Sequence, residues 1–158
     1  MNTEITIQQA SPKEWDKITW LWPLEKQAEA QIRNEKKFKQ ISTGERIVIL
    51  AEILDKVIGV VQLELVHPNP EMADGKTTAH IDGLRVDQKY RNQGIGKRLM
   101  AEVEKIAKEK GFRKIVLGFS KGLTHEFLSK FYSEQGYHFW KEKDDNMTSI
   151  FTKDISKL

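Results

Sequence analysis

The chain has 158 residues, 39% of them hydrophobic and 31% charged, which suits one soluble domain with a single core and excludes disordered and fibrous classes. It contains no cysteine, which excludes a disulfide scaffold, a thiolate metal site and a cysteine nucleophile, and suits a reducing compartment. The net charge is only +3, and the longest apolar run, Ile47 to Ala51, falls far short of the ~20 residues that cross a bilayer, so a cytoplasmic protein is expected.

Glu4 to Gln8 alternates Ile5 and Ile7 with polar residues and predicts a short strand. Ser11-Pro12-Lys13-Glu14 joins a cap residue, a proline at the first helical position and a glutamate three residues on, which predicts a helix to about Trp22. After Pro23 a second helix is expected from Leu24 to about Gln40, with Leu24, Ala28, Ile32 and Phe38 as a thin apolar face. Ile47 to Leu54 and Val57 to Val66, rich in β-branched residues and separated by Asp55-Lys56, read as a hairpin of central strands. His67 to Lys76, with two prolines and Asp74-Gly75, reads as a loop.

Thr77 to Val86 predicts one strand, and Ile95, Leu99, Val103, Ile106 and Ala107 recur at helical spacing up to a stop at Gly111. Lys114 to Ser120 predicts a buried strand. Thr124 is placed to cap a helix with the face Phe127, Leu128 and Phe131, ending at Gly136, and strands Tyr137 to Lys141 and Thr148 to Lys153 follow. The order β-α-α-β-β-β-α-β-α-β-β implies an α/β chain of the α+β type. Its expected fold is a mixed, mostly antiparallel central sheet with helices on both faces, in one domain over residues 1–158.

Chemistry concentrates between Ile81 and Leu99, where a strand leads through a basic turn with two glycines, Gly94 and Gly96, into a helix. The first amides of a helix have no intrahelical partner and sit at the positive end of its dipole, so they suit phosphate oxygens. Glycine lets a ligand approach such a backbone closely. The stretch is not a Walker loop, and it lacks the third glycine of the dinucleotide fingerprint.

Arg91-Asn92-Gln93-Gly94-Ile95-Gly96, with Leu84-Arg85-Val86 just upstream, resembles the Arg/Gln-x-x-Gly-x-Gly/Ala signature of the GNAT superfamily of acetyl-CoA-dependent N-acetyltransferases. Phe131-Tyr132-Ser133-Glu134-Gln135-Gly136-Tyr137 is similar to the superfamily's Phe-Tyr-x-x-x-Gly-Phe. The resemblance covers residues 77–140 closely and the rest of the chain in element order. It implies the acyl-CoA N-acyltransferase fold, acetyl-CoA as cosubstrate, and a pantetheine arm lying between Thr77–Val86 and Lys114–Ser120. It also implies a pyrophosphate on the amides of Gln93 to Lys97, with Leu84, Arg85, Val86, Arg91 and Asn92 on the cofactor side.

Acetyl transfer requires the amine to lose a proton and the leaving thiolate to gain one. A free alkylamine has a pKa near 10.4 and is almost wholly protonated at neutral pH, so a base or a proton-accepting water is useful. His80 and Asp82, two apart on one predicted strand and hence on one face, are candidates. The resemblance puts His80 where histone-acetylating members carry a glutamate base; a structural histidine or a water relay remain open beside it. It gives Tyr132 the role of the tyrosine that protonates the coenzyme A thiolate, against the alternative of a core tyrosine beside Phe127, Leu128 and Phe131. Where the superfamily often has an asparagine on the pantetheine side, seven residues before that tyrosine, this chain has His125.

Trp15, Trp20 and Trp22 suit either packing or an acceptor wall, and the histidines show no metal-ligand spacing, so no metal is expected. The expected activity is acetyl transfer to a small-molecule amine or to a protein or peptide amine, with no nucleic-acid or membrane partner and with a homodimer allowed. Two rivals stand beside it: an acetyl-CoA-binding sensor of the same fold without turnover, and a nucleic-acid module suggested by a pI near 9.0. Residues 85 to 121 hold eleven Lys+Arg against four Asp+Glu, a local charge of +7 that coincides with the phosphate-binding turn.

Overall fold

The computed structural model describes residues 4–14, 17 and 27–158, with 27–31 as backbone alone. The expectations for Trp15, Trp20, Trp22, Pro23, Leu24 and the Ala28 side chain lie outside the described residues. In chain order the elements are β1 (Thr6–Gln9), α1 (Gln27–Thr43), β2 (Arg46–Ile53), β3 (Lys56–Glu64), β4 (Thr78–Ile81), β5 (Arg85–Val86), α2 (Ile95–Glu109), β6 (Lys114–Ser120), α3 (His125–Glu134), β7 (His138–Lys143) and β8 (Thr148–Asp154). Contacts group them into two units, each made of two separated stretches. The first ends at Glu64 and resumes over Asp82–Lys105; the second is Leu65–Ile81 with Ile106–Leu158.

In the first unit β1, β2 and β3 are antiparallel neighbours, and β5 pairs with β3 through Gly59↔Val86 and Val60↔Arg85. β2 and β3 are apolar over Ile47–Ala51 and Val57–Val61 because both of their faces are covered. Val48, Leu50, Val57 and Val60 form a buried cluster with Ala10, against which Ile41 of α1 packs. Gly59, one residue from Val60 and so on the opposite face, is met by Leu99 and Ile95 of α2. Each fully buried aliphatic side chain in these layers contributes roughly 1.5–3 kcal/mol.

The hairpin turns on Leu54 and Asp55 (φ 49° and 67°), with Ile53 opposite Lys56, one residue earlier than the expected Asp55-Lys56. Two left-handed residues give the turn whose twist matches the flanking strands. Ser11 N–H donates to Glu14 Oε1 at 3.0 Å, as the capping pattern predicts, and this bond pulls the Glu14 carboxyl below its ordinary pKa. The face of α1 differs from expectation: Ile32 and Phe38 are exposed, and the partly buried stripe is Asn34, Lys37, Gln40 and Ile41. Lys37 and Gln40 answer to a buried charge described below.

In the second unit β4 runs parallel to β6, from Thr78↔Lys114 to Ile81↔Leu117, while β6–β8 and β7–β8 are antiparallel. The expected strand Thr77–Val86 is therefore broken after Ile81. Asp82 N–H donates instead to Gln62 O (2.9 Å), Gly83 is left-handed (φ 78°), and β5 resumes on β3. The strand alternation that would put His80 and Asp82 on one face stops there.

Residues 65–77, of which His67–Lys76 are expected as a plain loop, form a tied strap. Gly75 N–H donates to Leu65 O (2.8 Å), and Asp74 accepts the N–H groups of Lys76, Thr77 and Thr78. These bonds hold the Asp74 carboxyl far below the usual carboxylate range. The strap buries Met72 against Val116 and Ile150. The α3 face also shifts: Phe127 is 64% exposed, and Tyr132 is the buried residue at its centre. With these corrections the architecture is the mixed, mostly antiparallel α+β fold expected from the sequence.

A Cβ added at Gly59 would lie 3.1 Å from Leu99 Cδ1 and 3.3 Å from Ile95 Cγ2. Gly59→Val is therefore expected to push α2 off the sheet and to lower stability by about 1–3 kcal/mol, read by urea denaturation, with Gly59→Ala costing less.

Candidate active site

The turn before α2 is built from the first unit's own backbone. Asp87 N–H donates to Ile58 O (2.7 Å), and its side chain caps a 3₁₀ turn, Gln88–Tyr90, by accepting Lys89 N–H. Arg91 folds back so that Nε donates to Val86 O (3.1 Å). Asn92 and Gly94 are both left-handed (φ 64° and 78°), and Arg91 to Gly94 are exposed, while Ile95 is buried and anchors the helix.

Arg98 is the first amide of α2 with a helical acceptor, Gly94 O at 3.1 Å, so those of Ile95, Gly96 and Lys97 stay at the open end. The first turn of α2 holds no acid, and Lys97 and Arg98 are exposed beside it. A Cβ at Gly94 would meet nothing within 4 Å. Open amides, a positive dipole end and cationic side chains in open space are the features that suit phosphate oxygens. The predicted Arg91, Asn92, Gln93, Gly94, Ile95, Gly96 and Lys97 are brought together here.

Asp82 belongs to a different constellation, one that sequence reasoning missed. Arg46, 4% exposed, donates from Nη1 to Asp82 Oδ2 (2.8 Å) and Gln62 Oε1 (2.8 Å), from Nη2 to Glu64 Oε2 (3.1 Å), and from Nε to Gln40 Oε1 (2.8 Å). Lys37 Nζ lies 3.9 Å from the same Asp82 oxygen. The available signal was slight: an arginine opening an apolar run, and Gln62 and Glu64 interrupting another.

In the second unit His80 is half-buried and opposite Val116, so it shares the strap's face. The ring of His67 meets it edge-on, with centroids 5.6 Å apart, and His67 Nδ1 accepts Asn69 N–H at 2.9 Å. Tyr132 lies on the opposite face, over Phe119 three residues along β6. Its ring stacks on Phe119 (5.5 Å) and meets Phe131 and Tyr137 edge-on. Burial pushes its phenol up to about 12. His125, one α3 face-repeat before Tyr132, also packs on Phe119, and its Nε2 sits 2.9 Å from Ser149 Oγ. Among the described residues no helix is long and apolar enough to cross a membrane, and no group of three or more His, Asp or Glu is placed to hold a metal ion.

A mixed, mostly antiparallel α+β sheet of this kind is the fold of the acyl-CoA N-acyltransferases. The chain belongs to the Acetyltransferase (GNAT) family, whose profile it matches over residues 12–145. No curated protein matches it. Among solved structures it resembles PaiA N-acetyltransferase from Thermoplasma acidophilum in complex with coenzyme A (TM-score 0.72, 22% identity, 96% of this chain and 99% of that one). It also resembles an acetyltransferase of the GNAT family from Staphylococcus aureus Mu50 (0.74, 19%, 96% and 99%). A third is the aminoglycoside 6'-N-acetyltransferase from Enterococcus faecium (0.68, 19%, 95% and 97%). At these identities the likeness is one of fold.

Two outcomes follow from this geometry. Arg46→Met leaves Glu64 and Asp82 without their shared cation and is expected to cost about 3–5 kcal/mol in denaturant unfolding. In a spectroscopic tyrosinate titration one step is expected at about pH 12, absent in Tyr132→Phe. An unfolded tyrosine ionises near pH 10. The stability tied to a protonated Tyr132 is therefore complete below pH 10 and declines as pH rises from there towards 12, a decline that the variant should lack.

Proposed function

We propose that this protein moves the acetyl group of acetyl-CoA to a primary amine by direct attack, without a covalent enzyme intermediate. The observation that carries the reading is the exposed turn at Arg91–Gly94, left-handed at Asn92 and Gly94, which delivers the open amides of Ile95, Gly96 and Lys97. The pyrophosphate of the cosubstrate binds these amides, with Gln93 beside them and Arg91 and Lys97 supplying charge. The pantetheine arm runs along Leu84, Arg85 and Val86, and His125 contacts it from α3.

Tyr132 protonates the departing thiolate. It carries its proton at neutral pH, as a donor must. His80 accepts the proton of the amine, directly or through water, and Asp82 serves the acceptor side. Both units work as one transferase domain over residues 1–158, in the cytoplasm, on a small-molecule, peptide or protein amine, with neither nucleic acid nor membrane as partner and as a monomer or homodimer.

The test is a thiol-release assay with acetyl-CoA across a panel of amines, with coenzyme A affinity measured calorimetrically alongside. Turnover is expected with at least one amine, and Tyr132→Phe should lower kcat by about 100-fold while leaving coenzyme A affinity within about twofold. Undiminished turnover in that variant would return Tyr132 to a packing role. Acyl-CoA binding without turnover on any amine would favour a sensor, and no binding of any acyl-CoA at micromolar concentration would overturn the reading.

A further inference from the structure

His125 opens α3, and its ring lies where Phe119 of β6 and Ser149 of β8 are register partners. Partners in an antiparallel pair project their side chains on the same side of a sheet. The imidazole takes both: it packs on the Phe119 ring with centroids 5.3 Å apart, and its Nε2 sits 2.9 Å from Ser149 Oγ. A serine within hydrogen-bond reach of a histidine is the pairing of a nucleophile with its base. Ser149 is only 2% exposed, however, so its hydroxyl is closed to a substrate and the pairing has a different use.

The direction of the bond follows from the donors available. A hydroxyl carries one hydrogen, and a buried donor left without an acceptor costs the full desolvation of that group. Among the described residues His125 Nε2 is the one hydrogen-bond partner of Ser149 Oγ. Were the ring proton on Nε2, the serine hydrogen would have no acceptor; with the serine as donor, both atoms are satisfied. The ring proton then sits on Nδ1, because the bond made by one imidazole nitrogen sets the state of the other.

We infer that Ser149 is a positioning residue, which holds His125 as a fixed Nδ1–H donor for an amide carbonyl oxygen of the pantetheine arm. The inference deepens the transferase reading and rests on it for the identity of that oxygen. The tautomer decides whether this position offers a donor at Nδ1 at all, since an imidazole with its proton on Nε2 would turn a lone pair towards the carbonyl. Tyr132, stacked on the same Phe119 ring, lies seven residues on, about 10.5 Å along the helix axis. α3 thereby carries two donors on one line, two turns apart, which suits a chain that bears an amide oxygen and, further along, a sulfur.

The tautomer is read without ligand or turnover, by long-range ¹H–¹⁵N correlation of the histidine rings in mildly alkaline solution, with the His125 signals assigned by their loss in His125→Asn. Nδ1 is expected to be protonated in the wild type, and the proton to move to Nε2 in Ser149→Ala. Calorimetry with coenzyme A supplies the second readout. Ser149→Ala should weaken affinity about fivefold. Added to His125→Asn, whose amide donates without help from a serine, the same change should alter affinity by less than about twofold. A serine that merely packs predicts equal losses in the two backgrounds. Equal losses, or a wild-type ring protonated on Nε2, would overturn the inference. A ring protonated on Nδ1 in a protein that binds no coenzyme A would instead overturn the transferase reading, and with it the role given to the donor, while the bond from Ser149 to His125 would stand.

Discussion

A guanidinium holds a charge that cannot be titrated away, so an arginine taken into a protein interior has to be met by acceptors in several directions. Arg46 imposes that condition on four places in the chain at once: Gln40 at the end of α1, Gln62 and Glu64 on β3, and Asp82 where the backbone leaves β4. Two are amides and two are carboxylates; with Lys37 beside Asp82, the cations and anions balance. Apolar residues of similar volume can make an equally stable core. The arginine adds orientation, because a carboxylate held by its oxygen has less rotational freedom than one held by packing. Gln40 and Lys37 on α1, and Asp82 just after Ile81, all serve this one buried charge.

The second unit uses strand alternation to give its two candidate proton carriers different surroundings. His80, opposite Val116, lies on the face of the strap, beside another imidazole. Tyr132, over Phe119, lies on the other face among aromatic rings. A group that must keep its proton suits an apolar enclosure, which penalises the phenolate, whereas a group that must accept one suits a polar and partly solvated face.

What could be read from the sequence was what neighbouring residues determine. β6 was found residue for residue as Lys114–Ser120, and Ile95, Leu99 and Val103, which set the period of α2, are all at most 1% exposed. The turn at 91–96 was equally legible, because its glycines, its basic residues and the helix they open are contiguous. What escaped depends on remote partners. Asp82 leaves the strand for a bond to Gln62, and the inward face of α1 goes not to Ile32 and Phe38 but to a stripe that includes Lys37 and Gln40, the latter bonded to Arg46. The partners of Arg46 lie 6, 16, 18 and 36 positions away, with no shared period to announce them. Phe127 differs for a nearer reason: the inward stripe of α3 runs through the half-buried His125 and Leu128 to the buried Tyr132, and hydrophobicity alone does not fix its angle.

The longest of those separations also has a meaning in time. During synthesis Arg46 leaves the ribosome 36 residues ahead of Asp82, a wait of roughly 2 to 7 s at 5–20 residues per second. Over that interval the β2–β3 hairpin carries a cation whose compensation is incomplete, while the strap and β4 of the other unit are already being made. The units are interleaved along the nascent chain as they are in the finished one, and neither can be separated from the other by cutting at a single point.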